Sequence, residues 1–383
     1  MKILHVLRSI DPSSGGTYEG VRCLATSQLA MGQTIETVAL DRPDLPHAMP
    51  GPVHLLGPCA GNYGRTAALD QWLEKNLTRF SVVLVHGLWQ YHGFATRRAC
   101  LKAGIPYAVF PHGMLDPWFK RQYPLKHLKK WLYWPWGEYR VLRDAVRVLF
   151  TAEEERLAAR RSFWLYRAHE AVVGFGTAPP PDQATQQRAA FLARFPQLAG
   201  QRLLLFLGRI HPKKGCDLLM RAFRDCGGPF TLVMAGPDPD GLRTTLESLA
   251  GSASQRIIWT GMLAGDEKWG AIRCAEAFIL PSHQENFGVA VVEALACGLP
   301  VLISNRVNIW REIEQDGAGL VANDDALGCT QLLQGWTSLS AQQRSTMASV
   351  TTACFAQRFA MDAAAARLND VLVAVTQAVT QKA

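Results

Sequence analysis

The sequence has no Cys-x-x-Cys pair and no histidine cluster at metal-ligand spacing; its nine cysteines stand singly at 23, 59, 100, 216, 226, 274, 297, 329 and 354. That pattern excludes a zinc ribbon and a disulfide framework, and it reads as reduced, mostly buried thiols in a cytosolic protein. Low-complexity tracts are also missing. With 48% hydrophobic and 19% charged residues the composition is that of a globular chain, not a disordered one. No apolar run approaches the roughly 18 residues that a spanning helix needs, so any membrane contact is expected to be peripheral. The opening residues 1–8 are too short in their apolar part for a signal peptide and read as a first strand.

What is present is strand and helix alternation in two rounds. At 383 residues the chain exceeds what one core usually holds, so two domains are expected. The first round has apolar runs at 3–7, 36–40, 82–85, 107–110 and 146–150; the second has runs at 203–207, 230–234, 256–259, 277–280, 301–303 and 319–322. Between them Gly174-Phe175-Gly176-Thr177 and three prolines form a compositional break. This predicts an α/β fold of two doubly wound, Rossmann-like domains facing a cleft, 1–175 and 176–355. The Ala-rich stretch 349–376 is expected to be helical, with residues 356–383 packing back on the first domain.

Glu285 and Glu293 stand eight positions apart and flank Asn286-Phe287-Gly288, directly after the apolar run 277–280. Strand, loop and helix is the expected order, with Glu285 in the loop and Glu293 about two turns lower. Gly288 would let backbone N–H groups at a helix N-terminus approach an anion. Ionised glutamate only accepts hydrogen bonds, so carboxylates beside such a pocket suit hydroxyls around a diphosphate, the layout of a nucleotide sugar. A single glutamate would be a solvated surface charge; the pair with its insert points to a site.

Gly208-Arg209 and Lys214-Gly215 follow the first strand of the second round. Arg209 offers a fork and Lys214 a point charge to a diphosphate, in place of a divalent metal. Asp238-Pro239-Asp240 reads as a turn before a helix, so no metal site is expected. Gly15-Gly16, after the first strand, forms a weaker phosphate-approach signal. Pro111-His112-Gly113 and His86-Gly87 end strands of the first round. His112 is the expected catalytic or substrate-positioning group, Asp116 its companion, and His86 a structural histidine.

The net charge of +8 admits acidic partners. Segment 118–147 holds eight Lys/Arg against two acidic residues, together with four of the eleven tryptophans. Leu125, Leu128 and Leu132 recur at helical spacing among Lys126, Lys129 and Lys130. Two readings stay open: an interfacial segment on an anionic leaflet, or a core helix with solvated lysines. No nucleic-acid motif is recognisable.

On these residues the chain resembles a family 4 glycosyltransferase of the GT-B fold. The carriers are Glu285 to Glu293 with the following Ala294-Leu295-Ala296-Cys297-Gly298-Leu299-Pro300, the segment 208–215, Gly15-Gly16 and Pro111-His112-Gly113. His112 to Trp118 is similar to the bacterial polysaccharide-assembly branch. The resemblance implies that Arg209 and Lys214 bind the diphosphate, Glu293 the ribose and Glu285 the sugar. It further implies that backbone groups of Asn286, Phe287 and Gly288 hold sugar and phosphate, and that Thr260, Gly261 and Met262 border the base. A retaining, metal-independent hexosyl transfer without a cofactor is expected, from a UDP- or GDP-linked sugar to a saccharide acceptor in exopolysaccharide or lipopolysaccharide assembly. The basic segment suggests a polyprenyl-diphosphate-linked acceptor at the inner face of the cytoplasmic membrane. A nucleotide-sugar epimerase, a phosphorylase or a non-catalytic polysaccharide- or membrane-binding assembly protein are the alternatives.

Overall fold

A computed structural model describes residues 1–12, 16–59, 61–122 and 124–380. The chain divides into two compact units, 1–176 with 361–383, and 177–360. The first is built on strands β1 (Lys2–Val6), β2 (Thr34–Ala39), β3 (Val53–Leu55), β4 (Val82–His86), β5 (Tyr107–Phe110), β6 (Arg147–Phe150) and β7 (Glu170–Val172). They pair in parallel in the order β3-β2-β1-β4-β5-β6-β7. Helices cross over between successive strands, except from β2 to the edge strand β3, and cover the sheet. That is why β4 and β5 are apolar runs buried along their whole length rather than alternating ones. The two edge strands β3 and β7 are three residues long and only partly buried, too short and too polar to register as apolar runs.

The second unit contains β8 (Arg202–Leu207), β9 (Phe230–Ala235), β10 (Ile257–Gly261), β11 (Ala277–Leu280), β12 (Val301–Ser304) and β13 (Gly319–Ala322). These are again all parallel, in the order β10-β9-β8-β11-β12-β13. Strand order reverses between β1 and β4 in the first sheet and between β8 and β11 in the second. In open α/β sheets the crevice beyond the strand ends at such a reversal is where ligands bind, because the crossover helices diverge there.

The closing stretch is not one helix. Helix Ala341–Cys354 passes into a π turn at Phe355–Phe359, whose two phenylalanines are buried, and Ala360 is extended. Helix Met361–Thr380 then begins in the first unit, so the chain returns at 360/361 rather than at 355/356. It is held there by Ser27 Oγ donating to Asp362 (2.7 Å), Gln33 Nε2 to Asn369 (2.6 Å) and Arg367 Nε to the Val173 carbonyl (2.9 Å).

Candidate functional site

In the second unit Arg209, Lys214, Glu285 and Asn286 to Gly288 collect at the β8/β11 reversal, whereas Thr260, Gly261 and Met262 lie at the end of the edge strand β10. The loop after β8 is stitched to the loop after β11: His283 N–H (2.8 Å) and Ser282 Oγ (3.0 Å) both donate to the Lys213 carbonyl. Close backbone layering supports the strand ends. Gly208 N–H donates to the Ala235 carbonyl and Gly236 N–H to the Gly261 carbonyl; a Cβ on Gly236 would lie 1.9 Å from the Gly208 oxygen. Only glycine fits that approach.

Lys214 reaches across to the Glu285 carboxylate, with which it is hydrogen-bonded. Burial, and then the neighbouring Lys213 and Arg209 charges, pull the Lys214 ammonium down to about 8 despite that partner. Arg209 is exposed on the same loop. The Glu285 backbone is clamped from the other side, its N–H to the Arg306 carbonyl (2.9 Å) and its carbonyl to Asn308 N–H (3.0 Å). Asn308 Nδ2 also donates to Asn286 Oδ1 at 3.3 Å.

Helix Val289–Ala296 starts one residue after Gly288, which is left-handed (φ 75°). A side chain there would meet Val291 at 3.1 Å and Glu285 at 3.3 Å. Because residues 285–288 are a turn and not a first helical turn, Glu293 sits about one turn into the helix, higher than the spacing suggested. Its carboxylate pairs with Lys268 Nζ at 2.7 Å, on helix Gly265–Cys274. The sequence alone did not bring out Lys268. Phe287 is buried and its ring turns inward onto Phe359. Thr260 is buried, with its hydroxyl donating to the Gly261 carbonyl (3.0 Å), and Met262 beside it is 72% exposed. Asp238 caps helix Arg243–Ala250 by accepting from Leu242 and Arg243 N–H groups, as a turn residue does. Among the described residues no group of three His, Cys, Asp or Glu side chains is placed to hold a metal ion.

In the first unit His112 follows β5 with a left-handed backbone (φ 49°), uncommon for a residue with a Cβ. The turn is pinned by buried Glu155, which accepts from Gly113 N–H (2.6 Å) and from Thr151 N–H and hydroxyl (2.7 and 2.6 Å). It is fastened to the 86–89 loop by Gly87 N–H to the Phe110 carbonyl (2.8 Å) and Trp89 Nε1 to the Met114 carbonyl (3.2 Å). Asp116 accepts from Trp118 N–H at 2.8 Å, at the start of helix Trp118–Gln122. His86 is buried and fully engaged, with bonds to His5 and His112. Gly16 opens helix Gly16–Ala30; Gly15 lies outside the described residues.

Segment 118–147 divides between its two readings. Trp134 is core, 1% exposed, and packs on Phe163. Leu125, Leu128, Trp131 and Leu132 on helix Pro124–Tyr133, and Trp136 beyond it, are exposed. Lys130 is not a free surface charge: its ammonium lies over the Trp89 ring, 4.5 Å from the centroid.

With this geometry in place, the comparisons decide the family. Residues 15–176 match the glycosyl transferase 4-like domain and residues 190–328 the glycosyl transferases group 1 model. The chain belongs to the family 4 glycosyltransferases. A relative, the D-inositol 3-phosphate glycosyltransferase of Mycolicibacterium gilvum, is 32% identical over 173 residues, which cover 43% of this chain and 38% of the relative. The chain spans less than half the length of such curated relatives. Among solved structures, sucrose-phosphate synthase from Thermosynechococcus elongatus superposes with a TM-score of 0.76 at 18% identity over 99% of this chain and 100% of the other. Anabaena HepE in complex with UDP superposes at 0.75 and 17% identity, over 98% and 100%. This family 4 member has the GT-B fold of those neighbours.

Proposed function

We propose that the protein is a retaining, metal-independent glycosyltransferase that moves a hexosyl group from a nucleoside-diphosphate sugar to a saccharide acceptor in polysaccharide assembly. One observation carries the reading: Lys214 and Glu285 are brought together at the β8/β11 reversal, beside exposed Arg209 and the Gly288 helix start. A diphosphate there meets two cations and backbone N–H groups, while Glu285 and Glu293 are left as acceptors for hydroxyls of sugar and ribose. As the glycosidic bond breaks, negative charge grows on the leaving diphosphate, and Arg209 and Lys214 stabilise it without a metal. That charged oxygen, on the side of the sugar the acceptor approaches, takes the acceptor proton, so the anomeric configuration is retained. Thr260, Gly261 and Met262 border the base. His112 serves the substrate as a neutral polar group, since burial holds its imidazole down at about 4.

The donor is a UDP-linked sugar, in line with the nucleotide bound by HepE. For the acceptor we propose a polyprenyl-diphosphate-linked saccharide met at the inner face of the cytoplasmic membrane. Supporting this are the exposed apolar face of helix Pro124–Tyr133 and a groove of about 640 Å3 beside it, lined by Lys120, Arg161, Trp131 and Trp164. Calorimetric titration with UDP and GDP in EDTA, followed by a nucleotide-sugar panel, tests the donor side. Tight UDP binding without metal is expected; binding of neither nucleotide would overturn the reading and favour a non-catalytic assembly protein.

A further inference from the structure

Three histidines on adjacent strands form one hydrogen-bonded row at the β1/β4 reversal of the first sheet. His5 lies within β1, His86 ends β4 and His112 follows β5. His5 Nδ1 is 2.9 Å from His86 Nε2, and His86 Nδ1 is 3.0 Å from His112 Nε2. Ring planes of the first pair are within 9° and of the second within 20°, with centroids 5.1 and 5.3 Å apart. Such short N···N contacts at those centroid spacings mean that the rings meet edge to edge in nearly a common plane, the geometry of directional N–H···N bonds. The inner end is anchored: His5 Nε2 lies 2.9 Å from Gln28 Oε1, on helix Gly16–Ala30. Gln28, His5 and His86 are buried, while His112 is only partly so.

The anchor sets a direction. A carbonyl oxygen only accepts, so His5 carries its proton on Nε2. Burial, the largest effect at each ring, holds all three imidazoles neutral at neutral pH, which leaves one N–H apiece. His5 Nδ1 must then accept from His86 Nε2–H, and His86 Nδ1 from His112 Nε2–H. His92, whose Nε2 donates to the His86 carbonyl at 2.9 Å, holds the middle of the row in place.

We propose that Gln28, His5 and His86 are positioning residues that fix the tautomer of His112, so that its Nδ1 is a lone-pair acceptor for a substrate hydroxyl. The assignment of His112 to the substrate rests on the proposed glycosyl transfer; the tautomer does not. Through two rings, a buried glutamine on the helix after β1 thus decides what His112 offers. A histidine without this row would exchange between tautomers and present a donor at Nδ1 for part of the time, reversing the hydrogen bond it offers that hydroxyl.

Long-range 1H–15N correlation on histidine-labelled protein near pH 7.5 tests this directly, because imidazole nitrogens report their own protonation. In the wild type His112 should show protonated Nε2 and bare Nδ1. Replacing the anchor in Gln28→Leu should let both directions of the row populate, giving a tautomer mixture at His112; Gln28→Glu, still an acceptor, should restore the single form. Turnover of Gln28→Leu should fall in proportion to the fraction of His112 with bare Nδ1, to roughly half for an even mixture, with nucleotide KM unchanged. A wild-type His112 protonated at Nδ1 overturns the proposal without any variant. So does a His112 spectrum identical in wild type and Gln28→Leu. Absence of transfer activity with the expected spectra would instead count against the proposed function.

Discussion

Lys214 is hydrogen-bonded to Glu285, so a cation from the loop after β8 and a carboxylate from the loop after β11 close over the point where the second sheet reverses its strand order. Lys214 ends a one-turn 3-10 helix, Pro212–Lys214, and the Glu285 backbone is held by Arg306 and Asn308. The stitching of Lys213 to Ser282 and His283 ties the two loops together. With its charge already partly suppressed by burial, Lys214 gains most when negative charge grows beside it.

Lys214→Ala is therefore expected to lower kcat by about 10²–10³ while nucleotide affinity changes much less. In the proposed reaction the same lysine acts as a cation, and its loss of charge as pH rises through about 8 sets a basic limb. In the wild type kcat/KM should fall above that pH, and in Lys214→Arg the limb should move to higher pH. Full turnover in Lys214→Ala would sink this assignment.

In the proposed reaction Glu293 binds the donor nucleotide and takes no part in turnover. Glu293→Ala would remove the hydrogen bonds proposed between this mostly buried carboxylate and the ribose hydroxyls, an expected loss of about 1.5–3 kcal/mol, or roughly tenfold or more in nucleotide Kd by calorimetry. Lys268→Met leaves that carboxylate in place but without its 2.7 Å partner. A smaller loss of about two- to fivefold is expected there, in keeping with a partly exposed ion pair.

Gly236→Ala should be far more damaging than its chemistry suggests. The added Cβ would lie 1.9 Å from the Gly208 oxygen, so β8 and β9 must separate at the end where Arg209 leaves the sheet. A fall in Tm with lost nucleotide binding is expected, at a cost on the order of 3 kcal/mol. Gly317→Ala is the matched control. It too has a positive φ, +66°, but nothing within 4 Å of the new atom, so only the backbone strain of about 1 kcal/mol remains.

The sheets were legible because most of these parallel strands are buried and read as largely apolar runs, and all eleven runs became strands. β3 and β7 were not, since Val53-His54-Leu55 and Glu170-Ala171-Val172 are short edges with one polar residue each. Loop residues after strand ends, Arg209, Lys214, Glu285 and His112, announced themselves through the glycines beside them. Partners from distant segments did not. Lys268, Glu155, Asn308 and His5 come to their places only through sheet order, which no local pattern records.

Glu138 makes stability depend on pH. It is 1% exposed, its Oε1 accepts from Trp89 N–H at 2.6 Å, and its Oε2 has no hydrogen-bond partner among the described residues. Burial pushes its carboxyl from 4.5 up to about 8. Below 4.5 it is protonated folded or unfolded; between 4.5 and 8 only the unfolded chain ionises it, so its contribution to stability declines through that window. Glu138→Gln keeps an acceptor for Trp89 and cannot ionise. Its Tm should match the wild type near pH 5 and exceed it near pH 8, and equal gaps at both pH values would contradict the assignment.

The apolar face of helix Pro124–Tyr133 makes the last prediction. Leu125 is 77% and Leu132 61% exposed, and Trp136 beyond the helix is 69% exposed. Lys126 and Lys129 lie on the same helix, whereas Lys130 packs on Trp89 and belongs to the fold, so reversing it would test stability instead. Sedimentation with phosphatidylglycerol vesicles should carry the wild type down and release it in high salt, with phosphatidylcholine vesicles retaining little. Lys126→Glu with Lys129→Glu should weaken binding at least tenfold, since each lysine at an anionic surface contributes about 1 kcal/mol and reversal replaces attraction by repulsion. Leu125→Ser with Leu132→Ser should weaken it further without altering the salt dependence, because those residues contribute buried area and not charge. Equal binding by all variants would leave the exposed face without a membrane role.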